Sequence, residues 1–208
     1  MKTAEDKLPA EHYGTNRIEA FSDGVFAIVI TLLVLEFHVP EVGGPHLSED
    51  LSQGLIQLIP KFLCYVMSFI YIAIYWVNHH QLFNIVKHCN RSFFWFNNLF
   101  LMWMTIIPFP TALIGSYPKE PAAIMVYGAV MFLAGVSFVT MKWYAVKARL
   151  LERPELEASL LRRSRLKIFL GPVLYLVAIL IAGINFKISL AIYILLPVFY
   201  FFPQKFEG

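Results

Sequence analysis

Long apolar stretches separated by short charged turns set the pattern of this chain. Residues 62–86, 92–118, 121–141, 168–186 and 188–204 contain no Asp, Glu, Lys or Arg. Each is near the ~20 residues that a helix needs to cross a hydrocarbon core. A shorter run near 24–35 lies between Glu19, Asp23 and Glu36. It spans a membrane only if those acids sit at its ends or against protein. The pattern predicts six helices, near 17–39, 52–80, 91–115, 121–147, 164–185 and 187–203, in one all-α transmembrane domain over 1–208. Pro108, Pro110, Pro172 and Pro197 fall inside these spans, and each removes an intrahelical bond. "TIIPFPTALIG" (105–115) is therefore expected as an irregular end to the third helix. Ser48 is the expected N-cap of the second. The connection 147–167, "KARLLERPELEASLLRRSRLK", mixes charge with periodic Leu and is expected to prolong its neighbouring helices into water. Its basic cluster either touches anionic lipid or stands as a solvated loop.

Composition sharpens this picture. The chain is 58% hydrophobic and only 15% charged, with a mean hydropathy of +0.63. Soluble domains carry about a quarter charged residues, so an integral membrane protein in a lipid bilayer is expected, with no nucleic-acid partner. The net charge of +3 says little, but its distribution says more. Of the 17 Lys and Arg residues, only Lys61, Lys119 and Lys187 fall on one side of a six-span arrangement. The positive-inside bias then puts both termini in the cytoplasm. The polar first sixteen residues lack the apolar stretch of a cleavable signal peptide, so the first helix is expected to be part of the mature chain. Cys64 and Cys89 lie on different levels of the plan and suggest neither a disulfide nor a metal framework.

The first helix carries the chemistry. With Ile28 at zero and about 100° per residue, Leu32 falls near +40°, Leu35 near −20°, Thr31 near −60° and Gly24 near −40°. Glu19, Ser22 and Asp23 fall on the opposite side. A carboxylate at this depth is costly unless it finds donors within the protein. The second helix ends "YWVNHHQ", which brings Trp76, Asn78, His79 and His80 to the same level. Arg17, Ser22, Asp23, Asn78 and His79 form either a hydrogen-bonded brace or a proton relay, since a buried Asp beside His has a tunable pKa. Arg17 lies roughly 9 Å along the axis from Asp23, so it is expected to pair with another helix or chain. The Ile/Leu stripe, by periodicity alone, fits a helix or lipid contact and does not require a pore. Thr31 could bond only its own preceding carbonyl.

Arg17, Phe21, Ser22 and Asp23, in the spacing R-x-x-x-F-S-D, precede "GVFAIVITLLVLEFHVP". This stretch resembles the signature helix of the transmembrane protein 175 family, potassium channels of animal endosomes and lysosomes with shorter prokaryotic relatives. "YWVNHHQ" and "IPFPTALIGSY" are also similar to that family. The likeness covers roughly the first 120 residues in detail and the six-helix plan throughout. It implies a prokaryotic single-repeat member in the plasma (inner) membrane. It also implies a homotetramer around a central pore lined by the first helix. Carried over by position, Ile28, Leu32 and Leu35 supply apolar constrictions and Thr31 a ring of hydroxyls. Arg17, Phe21, Ser22 and Asp23, with Trp76, Asn78 and His79, hold the pore helix. Neither the family nor this sequence has the "TVGYG" filter.

Such a pore has definite physics. A narrow apolar ring loses its water and blocks ions, so it serves as a gate. Potassium sheds water more readily than sodium, and a weak hydroxyl site behind the ring favours it modestly. With Asp23 pointing away, no carboxylate ring suits a divalent ion. Potassium is the expected permeant, with no cofactor and no resident metal. Two other classes compete. One is a proton-coupled transporter using Asp23 and His79, although inverted repeats and broken mid-membrane helices are not evident. The other is a membrane enzyme with Asp23, His79 and His80 around a metal or nucleophile. Adjacent histidines diverge by about 100° on a helix, and no H-E-x-x-H, G-x-S-x-G or P-loop pattern occurs.

Overall fold

The computed structural model describes residues 14–43, 46–152 and 165–201. In chain order the helices are α1 (Asn16–Leu32), α2 (Leu47–Gln57), α3 (Ile59–Phe83), α4 (Arg91–Ile106), α5 (Pro108–Ser116), α6 (Pro121–Lys147), α7 (Arg165–Ala182) and α8 (Phe186–Phe201). A 3-10 turn, Leu33–Glu36, continues α1. These segments make six spans of an all-α membrane protein. Among the described residues, four stretches are long and apolar enough to cross a bilayer: Asn16–Glu36, Leu47–Phe83, Arg91–Ser116 and Pro121–Lys147. The last two spans contribute the shorter apolar runs Leu170–Ala182 and Phe186–Val198.

Local chemistry explains the departures from the expected ends. The second span starts at Leu47 and divides at Leu58, one residue before the helix that carries Pro60 near its start. Ser48 is not its cap. It lies inside the helix, where its carbonyl accepts from Ser52 Oγ at 2.8 Å, and His46 takes the cap position without a side-chain bond. The third span divides at Ile107, because Pro108 has no N–H to continue the ladder. Asn90 caps α4, its Oδ1 accepting from the Phe93 N–H at 2.9 Å. The helix α6 does not run on into water beyond Lys147. Arg149 adopts φ 53°, Arg149 N–H donates to Val146 O at 3.1 Å, and Leu150 N–H donates to Ala145 O at 3.0 Å. That pair of bonds is a Schellman stop. The chain then forms an isolated antiparallel bridge, Val86 with Leu151. The remainder of the expected helical continuation, 153–164, lies outside the described residues.

The core gathers around α6, which packs against α4, α5, α7 and α8. Tyr127, Tyr175 and Tyr193 are fully enclosed at that junction. The Tyr175 hydroxyl finds no hydrogen-bond partner among the described residues, but the other buried hydroxyls there are tied to protein. Tyr71 donates to the Tyr193 carbonyl at 2.7 Å, Tyr193 donates to Ile124 O at 3.1 Å, and Ser68 meets Thr111 at 2.7 Å and Tyr127 at 3.1 Å. Gly128 makes room for this arrangement: a Cβ there would collide with the Tyr193 hydroxyl and with Ile179. Gly128→Ala is therefore expected to lower stability by about 1–3 kcal/mol through overpacking. An unchanged thermal midpoint of the purified protein would show that the junction yields instead. Cys64 and Cys89 are free and buried, and burial in the loop before α4 pushes the Cys89 thiol up to about 12.

Candidate functional site

The first helix has one face inside the protein and one face outside it. Ile18, Ser22, Phe26, Val29 and Leu33 are buried, at helical spacing, where α1 meets α3 and α4. Around the axis, Ile28 is 59% exposed, Leu32 39% and Leu35 67%. Thr31 lies among them, also exposed. Its Oγ1 hydrogen is shared between the carbonyls of Ala27 at 3.0 Å and Ile28 at 2.8 Å. A hydroxyl whose proton is held by its own helix presents oxygen lone pairs outward. Such an oxygen can accept from water or face a cation.

The 3-10 turn changes the register of Leu35. At about 120° and ~2.0 Å per residue over the last three steps, Leu35 swings from about −20° to about +40°, in line with Leu32. It also sits about 12 Å rather than 10.5 Å beyond Ile28.

The polar residues behind the stripe form two separate groups, not one brace. In the first, Ser22 Oγ donates to Ile18 O at 2.8 Å and accepts from Asn97 Nδ2 at 3.0 Å. Asn97 Oδ1 lies 2.8 Å from His79 Nε2. Because the Asn97 amide nitrogen serves Ser22, its oxygen must accept, and this assigns the proton to His79 Nε2. The His79 ring lies against Phe83 at 4.4 Å and Phe100 at 6.1 Å, with Phe26 edge-on at 5.6 Å. Ser22, His79 and Asn97 are all buried. In the second group, Trp76 Nε1 donates to Asp23 Oδ1 at 2.9 Å, and the indole stacks on His80 at 6.2 Å. This pair is on the surface of the single chain. Asn78 joins neither group, because its Nδ2 donates to Ile74 O at 2.7 Å on its own helix. Arg17 and Phe21 are exposed, and Arg17 makes no ion pair among the described residues.

Asn97 is the residue that sequence reading missed. It sits in "FFWFNNLF", a run free of charge, so counting Asp, Glu, Lys and Arg passes over it. The available signal was an amide inside an apolar span, which in lipid needs a partner on another helix. No hydrogen bond joins Asp23 to His79. His79 is buried while His80 is exposed, and among the described residues no group of three or more His, Cys, Asp or Glu is placed to hold a metal ion. A cleft of about 130 Å³ beside Leu33, Glu36, His38, Lys61 and Thr111 lies on the packed side of α1, away from the stripe.

Six helical spans, with a first helix that leaves one apolar, hydroxyl-bearing face uncovered, define an all-α polytopic membrane protein. Residues 17–108 match the family model described as endosomal/lysosomal potassium channel TMEM175. A potassium channel of Streptomyces collinus is 37% identical over 194 residues, covering 91% of this chain and 93% of that one. The crystal structure of a lysosomal potassium-selective channel TMEM175 homolog from Chamaesiphon minutus superposes with a TM-score of 0.77 at 36% identity, covering 89% of this chain and 95% of that one. The human endosomal/lysosomal proton channel TMEM175 is 31% identical over 140 residues, covering 63% of this chain and 28% of that protein. The chain belongs to the TMEM175 family.

Proposed function

We propose that this chain is a potassium channel that assembles as a homotetramer, with α1 of each copy lining a central pore. Ile28, Leu32 and Leu35 form the apolar constriction, and Thr31 supplies the hydroxyl ring that favours potassium over sodium. Potassium is the permeant, and no cofactor takes part. Both termini lie on the cytoplasmic side of a prokaryotic inner membrane, as the Lys and Arg distribution favours. The observation that carries this reading is the uncovered face of α1. The first span is 28% buried within the chain, as is the second, against 56% of the α6 span, so α1 is set apart by the chemistry of its open face rather than by its openness alone. That face bears apolar side chains of the right size to gate by dewetting, and the bacterial relatives named potassium channels lend it support. Ser22, Asn97 and His79 fix the helix from behind. Asp23 and Trp76 stand where a neighbouring copy would meet them.

Reversal potentials in a bilayer with potassium on one side and sodium on the other test this reading, and equal permeability would reject the selectivity it assigns. Thr31→Ala is expected to reduce the potassium preference roughly twofold to fivefold, a shift of about 20–40 mV at ~59 mV per tenfold. An unmoved reversal potential would remove Thr31 from the selectivity site. The transporter reading with Asp23 and His79 fits less well, since one residue faces Trp76 and the other Asn97. Strict coupling of potassium to proton movement in liposomes would restore it.

A further inference from the structure

The end of α6 carries cations that an ion pathway along α1 does not use. On its outer flank Leu133, Val136, Trp143 and Lys147 are exposed, with a spacing that keeps them on one side of the helix. Trp143 is 50% exposed, at a level where tryptophan marks the boundary between hydrocarbon and headgroups. The ammonium of Lys147 lies 4.7 Å from the centre of that indole. Two residues on, Arg149 holds the left-handed position of the helix stop. Glycine fits such a position without a steric penalty, yet arginine occupies it with its side chain exposed while Leu150 beside it is buried. The backbone also draws in the loop before α4, where Lys87 N–H donates to Leu150 O at 2.9 Å. Arg91 opens α4 next to Asn90, which donates to the Tyr144 hydroxyl at 3.1 Å. Glu152 is the nearest acid along the chain and Glu19 lies close enough to act on Cys89 in the same loop, but no ion pair among the described residues joins either to these cations.

We propose that this corner seats the phosphate of an anionic phospholipid of the inner leaflet. Lys147 and Arg149 hold the headgroup, and Trp143 sets its depth. The guanidinium suits a phosphate oxygen pair, and the flank of Leu133 and Val136 takes the acyl chain. The ligand must therefore offer a phosphate and a chain together, which free phosphate does not. Lys87 and Arg91 add positive potential. The inference rests on the bilayer setting and the orientation proposed above, and not on conduction.

The test uses the full-length protein in detergent, with bound lipid counted by native mass spectrometry. It is titrated separately with phosphatidylglycerol, phosphatidylcholine and inorganic phosphate. Phosphatidylglycerol is expected to be retained in preference to phosphatidylcholine, and inorganic phosphate at equal concentration is expected not to displace it. Arg149→Gly keeps the backbone geometry of the helix stop, so the thermal midpoint should hold or rise while phosphatidylglycerol affinity falls roughly fivefold. Adding Lys147→Gln should bring the loss to roughly 25-fold. Undiminished lipid affinity in Arg149→Gly would overturn the proposal. Equal retention of phosphatidylcholine, or displacement by inorganic phosphate, would do the same. Potassium flux is not part of this readout, so failure of the lipid site and failure of the channel reading are separable.

Discussion

Ile28→Asn is expected to raise potassium current on the order of tenfold at a fixed number of assembled channels, the factor that ~1.4 kcal/mol removed from a permeation barrier produces. The argument begins with the single chain. Ile28 is 59% exposed and belongs to no internal cluster of its own chain. Exchanging it should therefore leave the packing of α1 on α3 and α4 intact, unlike a change at Phe26 or Val29, which are enclosed. In the proposed tetramer the four copies converge, and the sec-butyl side chains shed water from a narrow ring. The smaller amide side chain widens the ring and keeps water at it, so a potassium ion meets a hydrated passage. If the stripe faced acyl chains instead, four amides in lipid would lower membrane insertion and assembly and leave conductance per channel unchanged. Single-channel recording beside a count of tetramers separates the two outcomes. Leu35 should behave in the same direction, because the 3-10 turn brings it into line with Leu32.

How much of this was legible in the sequence depends on which residue is considered. The six spans were legible because lipid imposes length and polarity on any helix that crosses it. The 3.6-residue period set Glu19, Ser22 and Asp23 opposite Ile28, but of these only Ser22 is buried, and the enclosed face is completed by Ile18, Phe26, Val29 and Leu33, which the wheel had not singled out. The register of Leu35 did not follow, because a wheel assumes one helical geometry and the chain tightens after Leu32. The breaks at Leu58 and Ile107 are local consequences of Pro60 and Pro108. The stop at Arg149 gave no signal, since arginine is an unusual occupant of a left-handed position. Which polar groups meet depends on how helices rotate against one another, and periodicity within a single helix carries none of that. Asn78 and Asn97 are alike by composition. One turns back to its own carbonyl at Ile74, and the other links α1 to α3.

That contrast sets the second large effect. Asn97→Leu is expected to cost about 2 kcal/mol of stability, whereas Asn78→Ala should cost ~0.5 kcal/mol or less. Hydrogen bonds between membrane helices average only ~0.6 kcal/mol, with a maximum near 1.7, because the separated helices find other partners. Asn97 exceeds that average for two reasons. Its amide serves two bonds at once, to Ser22 at 3.0 Å and to His79 at 2.8 Å. Its removal also leaves the Nε2–H of His79 unpaired in a site lined by Phe26, Phe83 and Phe100, and an unsatisfied buried donor costs about 1–3 kcal/mol. Ser22 keeps its bond to Ile18 O and contributes little to the loss. At about 2–4 °C per kcal/mol for a chain of this size, the midpoint of Asn97→Leu should fall by roughly 4–8 °C. If α1 is the pore helix, loosening its rear attachment should also broaden the distribution of single-channel conductance. Equal midpoints for the Asn97 and Asn78 variants would mean that α1 is held by its apolar face alone, and the buried amide chain would lose its place in the mechanism.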